Sequence, residues 1–118
     1  MNQPKSVRWL GDSLKQVRSF PLEVKQDIGV SLFDVQQGTT PENAKPFKGI
    51  GSGVFEIVTR FDKNTYRTVY AVQIGDIIYV LHAFQKKSPK GIKTAQTDVN
   101  LIKKRYRQAV EMEKEANS

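Results

Sequence analysis

The apolar positions change their period along the chain, and the change predicts its elements. Asp12 or Ser13 can cap a short helix covering Leu14, Val17 and Arg18. Pro21 suits the first turn of a second helix. In that helix Val24, Ile28, Phe33 (or Leu32) and Val35 recur at roughly helical spacing, and Gly38 ends it. Thr39–Asn43 reads as a loop. Three glycines and Pro46 then forbid regular helix over residues 44–53, leaving room for a short extra strand near Phe47–Ile50. From Val54 the pattern turns to Val, Ile and Tyr, as in strands. Three strands are predicted, Val54–Phe61, Tyr66–Ile74 and Ile77–Lys86, joined by the four-residue loop Asp62–Thr65 and the two-residue turn Gly75-Asp76. Beyond Ser88-Pro89-Lys90-Gly91, a last helix starts near Thr94–Thr97 and runs through Leu101, Ile102, Tyr106 and Val110. The expected fold class is α+β: two N-terminal helices, a consecutive antiparallel sheet of three to four strands, and a C-terminal helix.

The turns also predict a register. Pairing Ile74 with Ile77 sets Ala71 against Val80, Val69 against His82 and Arg67 against Phe84. Pairing Phe61 with Tyr66 sets Arg60 against Arg67, Val58 against Val69 and Glu56 against Ala71. Side chains alternate faces along a strand. Glu56, Arg60, Arg67, His82, Phe84 and Lys86 therefore fall on one face, with Val54, Val58, Val69, Ala71, Ile78 and Val80 at its apolar end under a helix. Two arginines directly opposite each other repel unless an anion lies between them.

Composition narrows the function. The 118 residues are 38% hydrophobic, enough for one modest core, so 1–118 is read as a single domain. With no cysteine and one histidine, thiolate zinc sites and histidine-rich metal sites are excluded; no cofactor is expected. No run approaches the ~20 apolar residues of a membrane span, and Met1–Ser6 has no secretory apolar core. A cytoplasmic protein without a membrane partner is expected.

The net charge is +7, and it is segregated. Residues 1–44 carry five basic and five acidic groups, residues 45–107 thirteen basic and four acidic. Such one-sided charge attracts a polyanion.

Several stretches resemble a known family. They are Arg8-Trp9-Leu10-Gly11-Asp12-Ser13, Ala44-Lys45-Pro46-Phe47-Lys48-Gly49, Val54-Phe55-Glu56, Tyr66-Arg67 with Val69-Tyr70, and Tyr79-Val80-Leu81-His82-Ala83-Phe84-Gln85-Lys86-Lys87-Ser88. Together they resemble the phage-related HigB-like branch of the RelE/ParE toxin superfamily, over roughly residues 8 to 110. The resemblance implies a RelE-like fold and a type II toxin paired with a helix-turn-helix, HigA-like antitoxin. It also implies cleavage of mRNA, usually on a translating ribosome, by an endoribonuclease that relies on arginines and lysines. Best-known members use a late tyrosine or histidine, whereas this chain ends in a Glu/Lys-rich helix without histidine. Some relatives inhibit gyrase instead.

The reaction so implied joins a ribose 2′-hydroxyl to its adjacent phosphate and needs no metal. Arg67, with Arg60 and Lys86 beside it, is the expected phosphate clamp. His82 is a candidate base or acid, the competing reading being a hydrogen-bonded structural histidine. Glu56 either orients an arginine or acts as a base. Phe84 is placed to stack an unpaired base, and Lys45 and Lys48 sit on a loop able to close over RNA. Lys86 and Lys87 contact RNA or guard a strand end. Lys103, Lys104, Arg105 and Arg107 either bind ribosomal RNA or form the wet face of a helix. Trp9 and Tyr106 are read as packing residues. A non-catalytic nucleic-acid-binding or phage accessory protein, and a gyrase-inhibiting toxin, are the alternative functions.

Overall fold

The computed structural model describes residues 3–86 and 94–117. The element order is β1 (Ser6–Trp9), α1 (Ser13–Arg18), α2 (Leu22–Gln36), β2 (Ala44–Pro46), β3 (Val54–Phe61), β4 (Asn64–Ala71), β5 (Ile77–Lys86) and α3 (Gln96–Ala116). The five strands form one sheet in the order β1-β5-β4-β3-β2. Neighbouring pairs are antiparallel except β1 with β5, which is parallel. The sheet is thus mixed, with one strand more than the sequence predicts at its upper limit. The additional strand is β1, whose alternating Val7 and Trp9 pack under α1 and α2. It is four residues long, too short to declare a period.

The helices split between the two faces. On one, Val17 of α1 and Val24, Ile28, Leu32 and Val35 of α2 meet Ile57, Tyr66, Tyr70, Ile78, Val80 and Ala83. On the other, Ile102 and Ala109 of α3 meet Val54, Val69, Ala71, Tyr79 and Leu81. The predicted stripe of α2 is correct with Leu32 as its third member; Phe33 lies outside it, 57% exposed. Gly38 (φ +90°) closes α2 as predicted: its N–H reaches the Val35 carbonyl at 3.0 Å and Thr39 N–H reaches that of Asp34 at 3.1 Å.

Both hairpins differ from expectation. Asp62 and Lys63, with φ of 50° and 66°, make a two-residue turn, and Asn64 and Thr65 belong to β4. Two consecutive left-handed residues match the twist of a tight hairpin; without a glycine the turn looked longer. The β3–β4 pairing therefore slides by two residues. Arg60 opposes Thr65, Val58 opposes Arg67 and Glu56 opposes Val69. An even slide keeps every side chain on its expected face, but it separates the two arginines expected to oppose each other. At the other hairpin β4 ends at Ala71, so residues 72–76 link the strands in place of a two-residue turn.

The pairing of β4 with β5 holds as predicted for Val69 with His82 and Arg67 with Phe84, then shifts: Tyr70 opposes Val80 and Ala71 opposes Tyr79. Leu81 is the extra residue of a β-bulge. The bulge corrects the predicted face of Ile78 and Val80, which point to α1 and α2. The extra strand expected near Phe47–Ile50 lies at Ala44–Pro46; Phe47 instead buries its ring beneath the α3 side. Among the described residues no helix is long and apolar enough to cross a membrane.

Adjacent residues of α2 give a direct check of this packing. Leu32→Ala is expected to cost about 2–5 kcal/mol in urea unfolding, while Phe33→Ala stays within about 0.5 kcal/mol.

Candidate functional site

Beyond α3, the sheet face carries three rows of side chains. The first is Lys45, Glu56, Val69 and His82; the second is Val58, Arg67 and Phe84; the third is Arg60, Thr65 and Lys86. The register thus brings Glu56, Arg67, His82, Phe84 and Lys86 onto neighbouring positions of one face and adds Lys45 from β2. Arg60 shares that face but stands at its outer row, exposed in a shallow recess with Lys45 and Glu42. Lys48 is exposed on the turn after Phe47. Lys87 lies outside the described residues.

The face is less open than the sequence suggests. Arg67 is buried, and its Nη1 donates to Glu56 Oε1 across the strands. The two side chains are 10% and 6% exposed. Burial disfavours the Arg67 cation, and the Glu56 carboxylate supplies its counter-charge. The structure also places two buried nitrogens here, Arg67 Nε and Lys86 Nζ, without a hydrogen-bond partner among the described residues. Desolvation, then the nearby charges of Arg67 and Lys45, lowers the Lys86 pKa from its ordinary value. Arg67 Nε and Lys86 Nζ are both buried donors whose demand is left unmet among the described residues.

A second polar chain ties this face to the helices. Arg105 is buried in α3, one turn beyond Ile102. Its Nη2 donates to Asp12 Oδ1 at 2.7 Å and its Nη1 to the Leu81 carbonyl at 3.0 Å. Nη1 also lies 3.4 Å from His82 Nδ1. A guanidinium only donates, so Nδ1 accepts and the imidazole proton sits on Nε2. Nε2–H donates to Asp98 Oδ1 at 2.8 Å. Both ring nitrogens are therefore engaged, as in a structural histidine. The His82 ring also stacks on Phe84, with centroids 5.0 Å apart and planes at 22°, so one face of Phe84 is already covered. Gly11 (φ +53°) makes room for this chain, since a Cβ there would lie 2.5 Å from Arg105 Cζ.

Asp12 and Asp98 were not among the expected site residues, and Arg105 was expected only alongside Lys103, Lys104 and Arg107, as an RNA contact or part of a wet helix face. The signal for them is the spacing 98, 102, 105, 109, which puts a carboxylate and a guanidinium in the buried stripe of α3. Arg105 accordingly separates from Lys103, Lys104 and Arg107: it is a packing and hydrogen-bonding residue. Trp9 and Tyr106 pack against the two cores as expected.

Beside this network lies a cleft of about 710 Å³. Its walls are Gln16 of α1, Ser19, Phe20 and Pro21 just after it, Tyr66, Phe84–Lys86 of β5, and Ala95, Thr97 and Asp98 at the start of α3. No group of three or more metal-ligating side chains occurs among the described residues.

This architecture has a family. Residues 15–107 match the model of the family described as Phage derived protein Gp49-like (DUF891). The chain belongs to the Gp49-like family. It is a phage-derived toxin family of RelE/HigB type. Among solved structures, the Gp49-like fold is similar to a chain of the toxin–antitoxin complex RelBE2 from Mycobacterium tuberculosis, with TM-score 0.50 and 19% identity. The match covers 70% of this chain and 99% of the other. No curated protein matches the chain.

Two stability measurements test the networks of this Gp49-like protein. Glu56→Ala strands a buried guanidinium and is expected to cost about 3–5 kcal/mol. Adding Arg67→Met should recover most of that loss, which a double-mutant cycle in urea reads. The second concerns Asp12, whose pKa is lowered by the hydrogen bond from Arg105 and then by that from Gln16. A carboxyl with a lowered folded-state pKa stabilises fully above its unfolded pKa, and the contribution disappears as pH falls through the folded value. The wild type is expected to be more stable than Asp12→Asn at neutral pH. The gap should begin to close below about pH 5 and be gone once Asp12 is protonated in both states.

Proposed function

We propose that this Gp49-like chain is the toxin of a type II toxin–antitoxin pair, masked by a helix-turn-helix antitoxin, and that it cleaves mRNA on translating ribosomes without a metal. The carrying observation is Lys86, a buried ammonium with no partner among the described residues, one strand away from Arg67 and on the same face. A buried unpaired charge is costly, and a phosphate diester supplies what it lacks. The charge segregated into residues 45–107 supports a polyanionic ligand. The similar solved chain belongs to a toxin–antitoxin complex, which supports an antitoxin partner.

In this reading the 2′-hydroxyl oxygen attacks phosphorus, a 2′,3′-cyclic phosphate forms, and the 5′-oxygen leaves with a proton. Arg67 and Lys86 hold the phosphoryl oxygens and stabilise the charge that grows on them. Glu56 fixes the Arg67 guanidinium and is the candidate acceptor of the 2′-hydroxyl proton. Lys86, with its lowered pKa, is suited to protonate the leaving oxygen. His82 is a positioning residue: it holds Phe84 by stacking and Asp98 by hydrogen bonding. Lys45, Lys48, Arg60 and Lys87 extend the contact along the RNA backbone.

One observation favours a second reading, a protein that docks on RNA without cutting it. Both nitrogens of His82 are occupied and Glu56 is already paired with Arg67, so neither candidate base on the face is free among the described residues.

Induction of wild type and Lys86→Met, with mapping of 5′ ends on cellular messages, separates the two. Wild type is expected to arrest growth and produce new 5′-hydroxyl ends. Lys86→Met should cleave about 10²–10³-fold less, by analogy with a lost oxyanion donor, with stability unchanged or higher because it removes an unpaired buried charge. Arrest of growth with intact messages would remove the ribonuclease reading and leave the docking and gyrase-inhibiting alternatives.

A further inference from the structure

The outer edge of β5 is only half covered. β1 pairs with Ile77–Val80 and stops. From His82 to Lys86 no strand lies on that side among the described residues, and the 710 Å³ cleft opens there. Its volume lies within the range of about 300–1,000 Å³ usual for small-ligand sites.

We propose that this cleft is a nucleobase subsite selective for guanine, with Asp98 reading the base and Lys86 holding the adjoining phosphate. The inference rests on the RNA-binding reading of the same face and names what that face recognises. Three observations carry it. Asp98 is a wall of the cleft, its side chain 28% exposed. Its Oδ1 accepts the His82 Nε2–H, which fixes the carboxylate, while Oδ2 has no hydrogen-bond partner among the described residues. Lys86, in the same walls, has the unpartnered buried ammonium. The cleft thus offers an oriented acceptor at one place and an unpaired cation at another, and Phe84 and Tyr66 are also among its lining residues.

That combination selects among nucleotides. A carboxylate has only acceptors to offer. Guanine alone among the four RNA bases presents two adjacent N–H donors on its Watson–Crick edge, N1–H and the N2 amino group. Adenine and cytosine present one exocyclic amine beside an acceptor, which an ionised carboxylate repels; uracil presents one imide N–H between two carbonyls. An unpaired base is read on this edge in single-stranded RNA. The exposed amide of Gln85 provides a donor for guanine O6. His82 then has a defined function: with Nδ1 turned to Arg105, it keeps the Nε2 proton that holds Asp98 in place.

The test uses the full chain and four probes, the 3′-monophosphates of guanosine, adenosine, cytidine and uridine, titrated by calorimetry or amide chemical shifts. Wild type is expected to bind the guanosine nucleotide at least about tenfold more tightly than the others, the discrimination of one good bidentate pair. Asp98→Asn, checked for folding by urea unfolding, should abolish the preference. Lys86→Met should weaken all four alike. Equal binding of the four nucleotides by wild type overturns the proposal, as does no binding at all. A guanosine preference that survives in folded Asp98→Asn overturns the assignment of Asp98. If Asp98→Asn does not fold, the wild-type ranking decides alone. The outcome is separable from the ribonuclease reading. Cleavage of messages without guanine at a fixed position removes this inference and leaves the enzyme. Guanosine selectivity without any cut message keeps the subsite and removes the enzyme.

Discussion

One irregular residue lets β5 serve two faces. Strict alternation from Ile77 to Lys86 would put Ile78, Val80, His82, Phe84 and Lys86 on one side. The bulge at Leu81 resets the phase, so that Ile78 and Val80 enter the core under α1 and α2 while His82, Phe84 and Lys86 stay with Arg67 on the other face. A bulge leaves backbone groups without ladder partners, and such groups need others when buried. Arg105 meets that demand: its guanidinium hydrogen-bonds the Leu81 carbonyl and simultaneously reaches His82 and Asp12. The position of the basic face relative to the hydrophobic core therefore hangs on one arginine from the last helix, held against one carbonyl.

Arg105 and Arg67 are both buried arginines, and they do different things. Arg105 divides its donors between a carboxylate, a carbonyl and a ring nitrogen, and it has no buried side-chain nitrogen without a partner. Arg67 has one carboxylate and an Nε with nothing to bind among the described residues. A satisfied network specifies a structure, while a partly satisfied one stores an unmet electrostatic demand. That contrast, rather than charge alone, distinguishes the scaffold from the site.

Much of this was legible in the sequence, for identifiable reasons. The bounds of β3 and β5 follow from runs of β-branched and aromatic residues long enough to show a period, and Gly38 marks the end of α2 through its left-handed φ. The opposition of Arg67 to Phe84 and of Val69 to His82 was also readable, because the pairing beside the second turn is off by one residue and the extra residue of the bulge cancels that error before these pairs. What escaped was long-range or locally unmarked. β1 exists because β5 offers it an edge. The Asp62-Lys63 turn uses left-handed residues that carry no glycine signature. Arg60 moved away from Arg67 because of that turn alone. The burial of Arg67 and the network from Asp12 to Asp98 depend on where α1 and α3 settle, and no pairing rule within the sheet reports that.

The two polar systems are coupled at Phe84, and this sets how the site responds to a ligand. Phe84 stands opposite Arg67 on β4 and stacks on His82 within β5. His82 in turn is fixed by Arg105 and Asp98. A phosphate that satisfies Lys86 and Arg67 weakens the mutual repulsion of these cations without disturbing the imidazole chain, whose members already have their partners. In the proposed reading the wall carrying Lys86 and Arg67 gains from binding while the wall carrying Asp98 stays preorganised, so little ordering cost is added at that wall. In the proposed RNA-binding reading, the cations hold the phosphate backbone and the preorganised wall reads the base, as phosphate contacts position and base contacts specify.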